Sequence, residues 1–498
     1  MVRSGTRGGF RVPLVAGVDC STQGTKVLIV NSDDGQVVAT GVASHEVEGE
    51  GGARETSPAV WGRALADALG ETGLADRVEA ISVGGQQHGL VVLGASGEPL
   101  CPAPLWNDTR SAPDAAALVT ALGGPQMCAE RVGSVLTAAF TVAHWAWLRR
   151  VRPEVAAAAA RVMLPHDYLN FRLTGEAATD RSDVSGTGWW SPREGSYAHD
   201  VLDLELVGLG IAALPAVVGP QEVAGKVTRT AATDFGLSEG VPVACGAGDN
   251  AAAALPLALG EGEMAMSLGT SGTVYAASSS PSADPSGTVA GFASADGRFL
   301  PLACTLNATL AVDRACEWLN LAREDVAPSN GVVFLPWLGG ERTPNVPTAT
   351  GTLTGLNYKT DGRSILQAAY EGIVATLLEA AGALGDWAPQ DPAQPVLLVG
   401  GGARGRVWQE TVRRLSGRPV LVVELSELVA YGAAMQAGAL VTGASLAELS
   451  KTWGGRKGAF LEPARKDEAT MGAIAAWRSH VLASLEGGRG SGTVATCE

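Results

Sequence analysis

The sequence predicts two α/β domains, each with helices on both faces of a sheet, and three observations support this prediction. The chain has 498 residues, more than one hydrophobic core usually supports. Strand-like and helix-like segments alternate along both halves. A strand–turn–strand pattern around Thr22 recurs around Thr270, about half a chain later. Each half is therefore predicted to begin with the same β-hairpin.

The two copies of this hairpin differ at one chemically important position. The first turn reads Thr22-Gln23-Gly24-Thr25, and the second reads Thr270-Ser271-Gly272-Thr273. A tight turn rich in hydroxyl groups can present backbone N–H groups to an anion. Asp19 precedes the first turn where Ser267 precedes the second. Two phosphate-type turns with one carboxylate suggest a nucleotide held between two related domains.

Composition excludes several classes of protein. The chain is 46% hydrophobic and 17% charged, which indicates a globular fold. Its net charge of −15 argues against a nucleic-acid or anionic-membrane partner. The seven cysteines include no C-x-x-C pair and the histidines no ligand spacing, so we expect a reduced, cytoplasmic protein without structural zinc. The uncharged stretch 428–447 is rich in small residues and predicts a buried helix, not a membrane span.

The first half reads as a mixed sheet with helices. Paired strands are predicted over 13–43, then a helix near 58–74 and the strand VEAISVGG from 78. QQHGLVVL reads as another strand, and 112–122, 141–160 and 164–175 read as helices. A strand and an Ala-rich helix over 241–260 mark the expected domain boundary.

The second half repeats this order. Strands are predicted over 263–305, helices near 307–322 and 364–384, and then strand, helix, strand and helix to 442. We expect an N-terminal tail (1–12), a sugar-binding domain (13–255), a nucleotide-binding domain (256–484) and a flexible C-terminal tail (485–498).

Two aspartates stand where strands end in polar turns. Asp19 could hold Mg²⁺ through water beside phosphates, or it could simply accept hydrogen bonds from a turn. Asp249 lies in Gly248-Asp249-Asn250 after the strand VPVAC. Its carboxylate could accept a proton from an attacking hydroxyl, or it could cap the Ala-rich helix. The neighbouring Gly-Thr-Ser-Gly turn favours a functional site.

Other loops carry candidate binding residues. The run from Gly400 to Gly405 follows a strand and fits G-x-G-x-x-G, with Glu424 ending the next strand. It is compatible with a dinucleotide-binding oxidoreductase or with a glycine floor beneath an adenosine. His88 lies between glycines after a strand, where a histidine can also be structural. Two polar-aromatic clusters lie in loops, Trp106-Asn107-Asp108 and Gly340–Pro344.

Nine motifs follow one another in a fixed order. They are DCSTQGTK from 19, GGQQHG from 84, LWNDTR from 105, LPHDYLNFRLTGE from 164, CGAGDN from 245, SLGTSG from 267, FLPWLGGERTP from 334, GTLTGL from 351 and VGGGARGRVWQ from 399. Together they resemble the FGGY family of carbohydrate kinases, most closely its xylulokinases, over about 14–480. The resemblance implies two ribonuclease H-like (actin-like ATPase) domains with the active site in the cleft between them.

The resemblance also implies roles for individual residues in the ATP-dependent phosphorylation of D-xylulose to D-xylulose 5-phosphate. Asp249 would be the general base, and Asp19 would position Mg²⁺–ATP. The residues implied to contact the phosphates are Thr22, Gln23, Gly269, Thr270 and Ser271. The residues implied at the adenosine site are Gly401, Gly402 and Ala403. The residues implied to contact the sugar are Gln87, His88, Trp106, Asn107, Asp249 and Asn250.

One departure from the family pattern bears on the substrate. Xylulokinases commonly have methionine where this chain has Gln87, so another pentulose, a polyol or a sugar acid stays an alternative acceptor. A dehydrogenase or a non-catalytic sensor are more distant alternatives. Besides the sugar and ATP, the resemblance implies no nucleic-acid or membrane partner, and it is compatible with a homodimer.

Overall fold

A computed structural model describes residues 12–488 of the chain, with side chains described as far as 485. The predicted N-terminal tail, apart from Val12, lies outside the described residues. The predicted C-terminal tail lies outside them beyond Gly488.

The strands, labelled in chain order, are β1 Leu14–Cys20, β2 Gly24–Asn31, β3 Val37–Ser44, β4 Glu55–Thr56, β5 Val78–Gly85, β6 Val91–Leu93, β7 Ala103–Pro104, β8 Arg161–Met163, β9 Ala178–Asp180, β10 Trp190–Ser191, β11 Ser196–Tyr197, β12 Ala216–Val218, β13 Val223–Lys226, β14 Pro242–Ala244, β15 Ala247–Gly248, β16 Met264–Leu268, β17 Gly272–Ala276, β18 Ala290–Ala293, β19 Phe299–Thr305, β20 Val333–Leu335, β21 Thr352–Thr354, β22 Val396–Val399, β23 Val420–Val423 and β24 Gly458–Leu461.

The α-helices are α1 Pro58–Thr72, α2 Ala112–Ala121, α3 Pro125–Val132, α4 Thr141–Val151, α5 Pro153–Ala158, α6 Pro165–Thr174, α7 Arg181–Val184, α8 His199–Leu202, α9 Arg229–Phe235, α10 Asp249–Ala254, α11 Thr309–Leu319, α12 Gly362–Ala383, α13 Arg406–Ser416, α14 Leu428–Thr442, α15 Leu446–Trp453 and α16 Glu468–Gly488.

The chain folds into two compact units. Among the described residues, unit 1 contains 12–258, Gly291–Phe299 and Glu427–Gly455, and unit 2 contains Leu259–Ala290, Leu300–Ser426 and 456–488.

Unit 1 is organised around a sheet with the strand order β13–β14–β5–β1–β2–β3. Strands β1, β2 and β3 are antiparallel neighbours, whereas β5 and β14 run parallel to β1. Because side chains alternate across a strand, Ala16 and Val18 of β1 join the core that contains Trp61 of α1. Gly17 lies on the other face, where a Cβ would be 1.9 Å from the carbonyl oxygen of Ala430 in α14. Glycine at this position therefore lets α14 pack directly on the sheet.

Unit 2 repeats this strand arrangement. Six of its strands follow the order β19–β17–β16–β22–β23–β24. Strand β16 is antiparallel to β17 and β17 to β19, while β22 and β23 continue the sheet in parallel with β16. Met266 and Leu398 of the sheet share a core with Leu377 of α12 and Trp408 of α13. The shared order of three antiparallel strands followed by two parallel ones confirms the predicted pair of ribonuclease H-like domains.

Several predicted elements differ from the structure in detail. The helix predicted over 141–160 ends at Val151 and a new helix begins at Pro153, since a residue before proline disfavours helical backbone. Only Val91–Leu93 of QQHGLVVL form a strand. The uncharged stretch from 428 forms the buried helix α14, as predicted. None of the helices in the described part of the chain has the length and apolar character needed to cross a membrane.

Candidate active site

The two candidate acidic residues lie at the same edge of the sheet of unit 1. Strands β1 and β15 both run parallel to β5, and Asp19 and Ala247 both pair in register with Gly84. Asp249 follows β15 directly. The carboxyl ends of these parallel strands therefore bring Asp19 and Asp249 to one edge, where open α/β sheets usually bind ligands.

Asp249 is the first residue of α10, and Gly248 occupies the N-cap position. The Asp249 side chain is not the helix cap: Oδ1 accepts hydrogen bonds from the backbone N–H of Asn250 at 2.7 Å and from its side-chain Nδ2 at 2.8 Å. Burial raises the pKa of Asp249 to about 6, although the hydrogen bonds from Asn250 act in the opposite direction. A carboxylate with a pKa close to neutral pH is suited to accept a proton.

Asp19 has an unusual environment for a turn aspartate. Its Oδ1 is buried and has no hydrogen-bond partner among the described residues. Burial and the nearby Asp249 raise the pKa of Asp19 to about 7, while Lys26 acts to lower it. Lys26 pairs with Asp19 across the β1–β2 ladder and forms an ion pair with Glu427 at 2.5 Å. The alternative of an ordinary turn aspartate is not supported, because that role would use the carboxylate oxygens as hydrogen-bond acceptors.

The donor set around Asp19 is compatible with magnesium. The described part of the chain contains no cluster of three or more His, Cys, Asp or Glu side chains that could form a metal cage. Mg²⁺ typically keeps several waters and binds one or two carboxylates together with substrate phosphates. The unpartnered oxygen of Asp19 meets this requirement.

The first hairpin turn contains Thr22 and Gln23 and joins β1 to β2. The indole Nε1 of Trp106 donates to Thr22 Oγ1 at 3.0 Å. Beside it, Oδ1 of Asn107 is buried without a hydrogen-bond partner within the described chain. The structure thus brings the predicted Trp106–Asn107 cluster next to the first turn.

Gln87 and His88 follow the end of β5. Gln87 Oε1 accepts from Asn250 Nδ2 at 3.4 Å, so Gln87 and Asp249 share Asn250 as a neighbour. His88 has a positive φ of 71°, and its Nδ1 donates to the carbonyl oxygen of Gly186 at 2.6 Å. Gln87 and His88 are therefore held by different partners, Gln87 by the side chain of Asn250 and His88 by the main chain of Gly186.

Unit 2 holds the second hairpin turn against the start of α11. Gly269, Thr270 and Ser271 join β16 to β17. Thr309 Oγ1 donates to the carbonyl oxygen of Gly269 at 2.8 Å, and Ala308 N donates to that of Thr270 at 3.3 Å. These bonds use the carbonyl groups of the turn and fix its conformation.

The predicted adenosine segment lies beside this turn. Gly401, Gly402 and Ala403 form a 3₁₀ turn after β22, which is parallel to β16. A Cβ on Gly402 would be 2.9 Å from Cβ of Leu268 and 2.8 Å from Cγ2 of Thr309. The dinucleotide-binding alternative fits this sheet poorly, because β16, β17 and β19 are antiparallel and a dinucleotide fold is mostly parallel.

A cavity of about 800 Å³ also lies in unit 2. It is lined by α12, α13 and the segment before β20, including Arg406 and Val407. Its volume suits a small molecule. Gly401, Gly402 and Ala403 precede these lining residues in sequence and do not line the cavity themselves.

Sequence reasoning missed two buried polar networks. In unit 2, Glu341 accepts hydrogen bonds from Leu306 N at 2.6 Å and from Asn307 Nδ2 at 2.9 Å, just before α11. The polar loop Gly340–Pro344 is visible in the sequence, but the partners of Glu341 lie more than 30 residues away. In unit 1, His166 lies among three aspartates. The sequence signal for this second network is the run His166-Asp167-Tyr168 in the motif that forms α6. The spacing of these residues does not indicate that they are buried.

Comparisons with known proteins agree with this architecture. The N-terminal domain of the FGGY family of carbohydrate kinases matches residues 14–256, and the C-terminal domain of that family matches residues 264–441. A xylulose kinase of Streptomyces coelicolor is 54% identical over 95% of this chain and 98% of its own length. A xylulose kinase of Streptomyces rubiginosus is 53% identical over 96% of this chain and 99% of its own length.

A solved structure shows the same fold. The crystal structure of xylulose kinase from Bifidobacterium adolescentis has a TM-score of 0.79 and 33% sequence identity, covering 94% of this chain and 99% of that one. The chain matches both domains of one family, and its similarity to two xylulose kinases extends over nearly the whole of each chain. The strand order repeated in the two sheets agrees with these matches. This chain belongs to the FGGY family of carbohydrate kinases and is a carbohydrate kinase.

Proposed function

We propose that this kinase transfers the γ-phosphoryl group of ATP to D-xylulose and forms D-xylulose 5-phosphate. The observation that carries the substrate assignment is the identity of 54% to the Streptomyces coelicolor xylulose kinase over nearly the whole of both chains. The proposed site of action is the cytoplasm, in keeping with the free thiols of the six cysteines in the described chain.

In the proposed reaction, Asp249 is the general base. The terminal hydroxyl oxygen of the sugar attacks the γ-phosphorus, its proton passes to the Asp249 carboxylate, and the bond between the γ-phosphorus and the bridging oxygen breaks to release ADP. Asn250 occupies Oδ1 of Asp249 with two hydrogen bonds. No hydrogen bond to Oδ2 occurs among the described residues, so this oxygen is the one proposed to take the proton.

The other residues bind and orient the two substrates. Gln87, His88, Trp106, Asn107 and Asn250 are proposed to contact the sugar. Gly269, Thr270 and Ser271, with Thr22 and Gln23, are proposed to contact the phosphates, and Gly401, Gly402 and Ala403 the adenosine. Phosphoryl transfer depends mainly on positioning and charge stabilisation, which is the work that turns and strand ends of this kind can do.

Asp19 is proposed to hold Mg²⁺ with the phosphates of ATP, through water. When bound, the metal would neutralise the charge that develops on the phosphoryl oxygens. The support for this role is the buried, unpartnered Oδ1 of Asp19.

The substrate assignment is tested by ADP release from Mg²⁺–ATP with D-xylulose, D-ribulose, L-ribulose, glycerol and gluconate offered separately. A kcat/KM for D-xylulose at least about tenfold above the others is expected, a margin that a few specific contacts can supply. Preference for another acceptor would keep the kinase and overturn the substrate, with Gln87 as the first residue to examine.

A further inference from the structure

A cluster of four ionisable side chains lies inside unit 1, and the residue roles described so far do not involve it. The buried cluster consists of His166, Asp167, Asp180 and Asp183, all buried. His166 Nδ1 lies 2.6 Å from Asp183 Oδ2, and His166 Nε2 lies 3.3 Å from Asp167 Oδ1 and 3.8 Å from Asp180 Oδ1. Burial alone would lower the pKa of His166, but the adjacent carboxylates outweigh burial and raise it to about 10.

A contribution to the stability of the fold does not by itself explain why such a cluster is buried. Removing charges from water is costly, and a buried ion pair often stabilises a protein no more than apolar side chains of the same volume. His166 Nδ1 forms a hydrogen bond with Asp183 Oδ2, while Nε2 has only the charge of nearby carboxylates beside it and no hydrogen bond within the described chain, so the contact with Asp183 fixes the orientation of the ring. A buried group held in this way can serve as a rigid reference point for its neighbours.

One chain of hydrogen bonds leads from the cluster to Asp249. Asp180 Oδ2 accepts from the backbone N–H and from the hydroxyl of Ser182, both at 2.6 Å. The hydroxyl oxygen of Ser182 in turn accepts from the backbone N–H of Gly248 at 3.1 Å. Gly248 immediately precedes Asp249, so the Ser182 hydroxyl fixes the main chain at the point where the candidate base begins.

A second chain leads to His88. The backbone N–H of Gly186 donates to the carbonyl oxygen of Asp183 at 2.9 Å. The carbonyl oxygen of Gly186 then accepts from His88 Nδ1 at 2.6 Å. The same helical turn, α7, therefore connects the cluster to both Asp249 and a residue proposed to contact the sugar.

His166 itself is wedged between the two strand ends that carry these residues. A Cβ on Gly246 would be 2.7 Å from Cδ2 of His166, and a Cβ on Gly85 would be 2.8 Å from Cβ of His166. Gly85 ends β5, two residues before Gln87, and Gly246 precedes β15. His166 therefore packs directly against the main chain at both strand ends, with no room for a side chain at either glycine.

We propose that the buried cluster is a positioning device, and that Ser182 transmits its position to Asp249. This inference rests on the proposed role of Asp249 as general base. His166, Asp180, Ser182 and Asp183 would touch neither substrate. They would hold the base and the sugar-binding histidine in the geometry that the reaction needs, where a displacement of about 1 Å can cost on the order of 10²-fold in rate.

The test is Ser182→Ala, which removes the hydroxyl link and leaves the four ionisable groups in place. Ser450→Ala is the matched control, because Ser450 is also a buried serine and its hydroxyl donates to the carbonyl oxygens of Leu255 and Pro256, just beyond the other end of α10. For each variant, kcat, both KM values and Tm are measured with D-xylulose and Mg²⁺–ATP.

For Ser182→Ala we expect kcat to fall about 10- to 100-fold with the KM for ATP unchanged. Ser450→Ala should keep the wild-type kcat even if its Tm falls by the same amount. A Ser182→Ala enzyme with kcat within about twofold of an active wild type would overturn the positioning role. Equal losses of kcat in both variants would do the same, by showing an effect of stability alone. A wild type without turnover on any acceptor would instead overturn the proposed function.

Discussion

The two repeated hairpins have the same backbone plan and different chemistry. The β1–β2 turn of unit 1 is preceded by Asp19, whose carboxylate is partly desolvated and unpartnered at Oδ1. The β16–β17 turn of unit 2 is preceded by Ser267 and has its carbonyl groups bound by Ala308 and Thr309. One turn therefore offers a charged ligand and the other a fixed, neutral main chain. The two copies of this fold element therefore differ in one side chain and in their local contacts, and these differences support the different roles proposed for the two turns.

The largest effect is expected from Asp249→Asn, which keeps the side-chain shape and removes the proposed base of unit 1. A positioned base typically contributes about 10²- to 10⁴-fold in rate, so kcat should fall by that amount. The measurement is steady-state ADP release, with Tm as the control for folding. A loss below about tenfold would exclude Asp249 as the base.

The next effect tests the difference between the hairpins directly. Asp19→Ser gives the first hairpin the residue that stands before the second turn, and it removes the proposed Mg²⁺ contact. Loss of one charge-stabilising group should lower kcat by about 10²-fold. The control is Ser267→Ala, which leaves the second turn neutral and should keep kcat within about threefold. If Asp19→Ser retained full activity across a titration of Mg²⁺, the distinction between the two hairpins would lose its functional meaning.

The pH dependence of the reaction should report the carboxylates of unit 1. The proposed base can accept a proton only when it is ionised, and the raised pKa of Asp249, about 6, places the expected loss of activity below that pH. At saturating Mg²⁺–ATP, where the bound metal would keep Asp19 ionised in spite of its own raised pKa of about 7, we expect kcat/KM for the sugar to be level at neutral pH and to fall about tenfold per pH unit below 6. The Asp249→Asn enzyme should not show this fall. A wild-type profile that stays flat to pH 5 would contradict the assignment.

The smallest effect is expected from Thr309, whose side chain binds the turn of the second hairpin. Thr309→Val removes the hydroxyl that donates to the carbonyl oxygen of Gly269 and keeps the side-chain volume. A hydrogen bond of this kind is worth about 1 kcal/mol, so the KM for ATP should rise about fivefold while the KM for the sugar stays unchanged. Trp106→Phe removes the hydrogen bond between Trp106, which is proposed to contact the sugar, and Thr22, which is proposed to contact the phosphates, so it is expected to raise both KM values. A Thr309→Val enzyme with equal changes in both KM values would contradict the proposed role of the second turn in binding ATP.

Much of the fold followed from local patterns. The hairpin repeat, the carboxylates at strand ends and the glycine turn after β22 depend on alternation and turn residues, which act over a few positions. These patterns predict both sheets and most of the candidate residues. They did not separate the short strand Val91–Leu93 from the irregular segment before it, because Gln86, Gln87 and Leu90 are also buried, as residues of a strand in a sheet core would be.

The contacts that complete the candidate site depend on residues far apart in sequence. His166 meets Gly85 and Gly246 only because α6 packs across two strand ends. Glu341 reaches Leu306 and Asn307 through a loop that returns to the start of α11. A polar residue gives no sign in the sequence of whether it will be buried or which partner will satisfy it.

The sequence by itself determined the family, the two repeated α/β domains and the identity of the candidate base and phosphate turns, because each of these is written in contiguous motifs. The tertiary structure decided that Glu427–Gly455 joins unit 1, where glycines such as Gly17 admit α14 at van der Waals distance. It also decided the raised pKa values of Asp19 and Asp249 and the placement of the buried cluster behind them. Desolvation and long-range packing arise only when distant segments meet, so no local pattern can encode them.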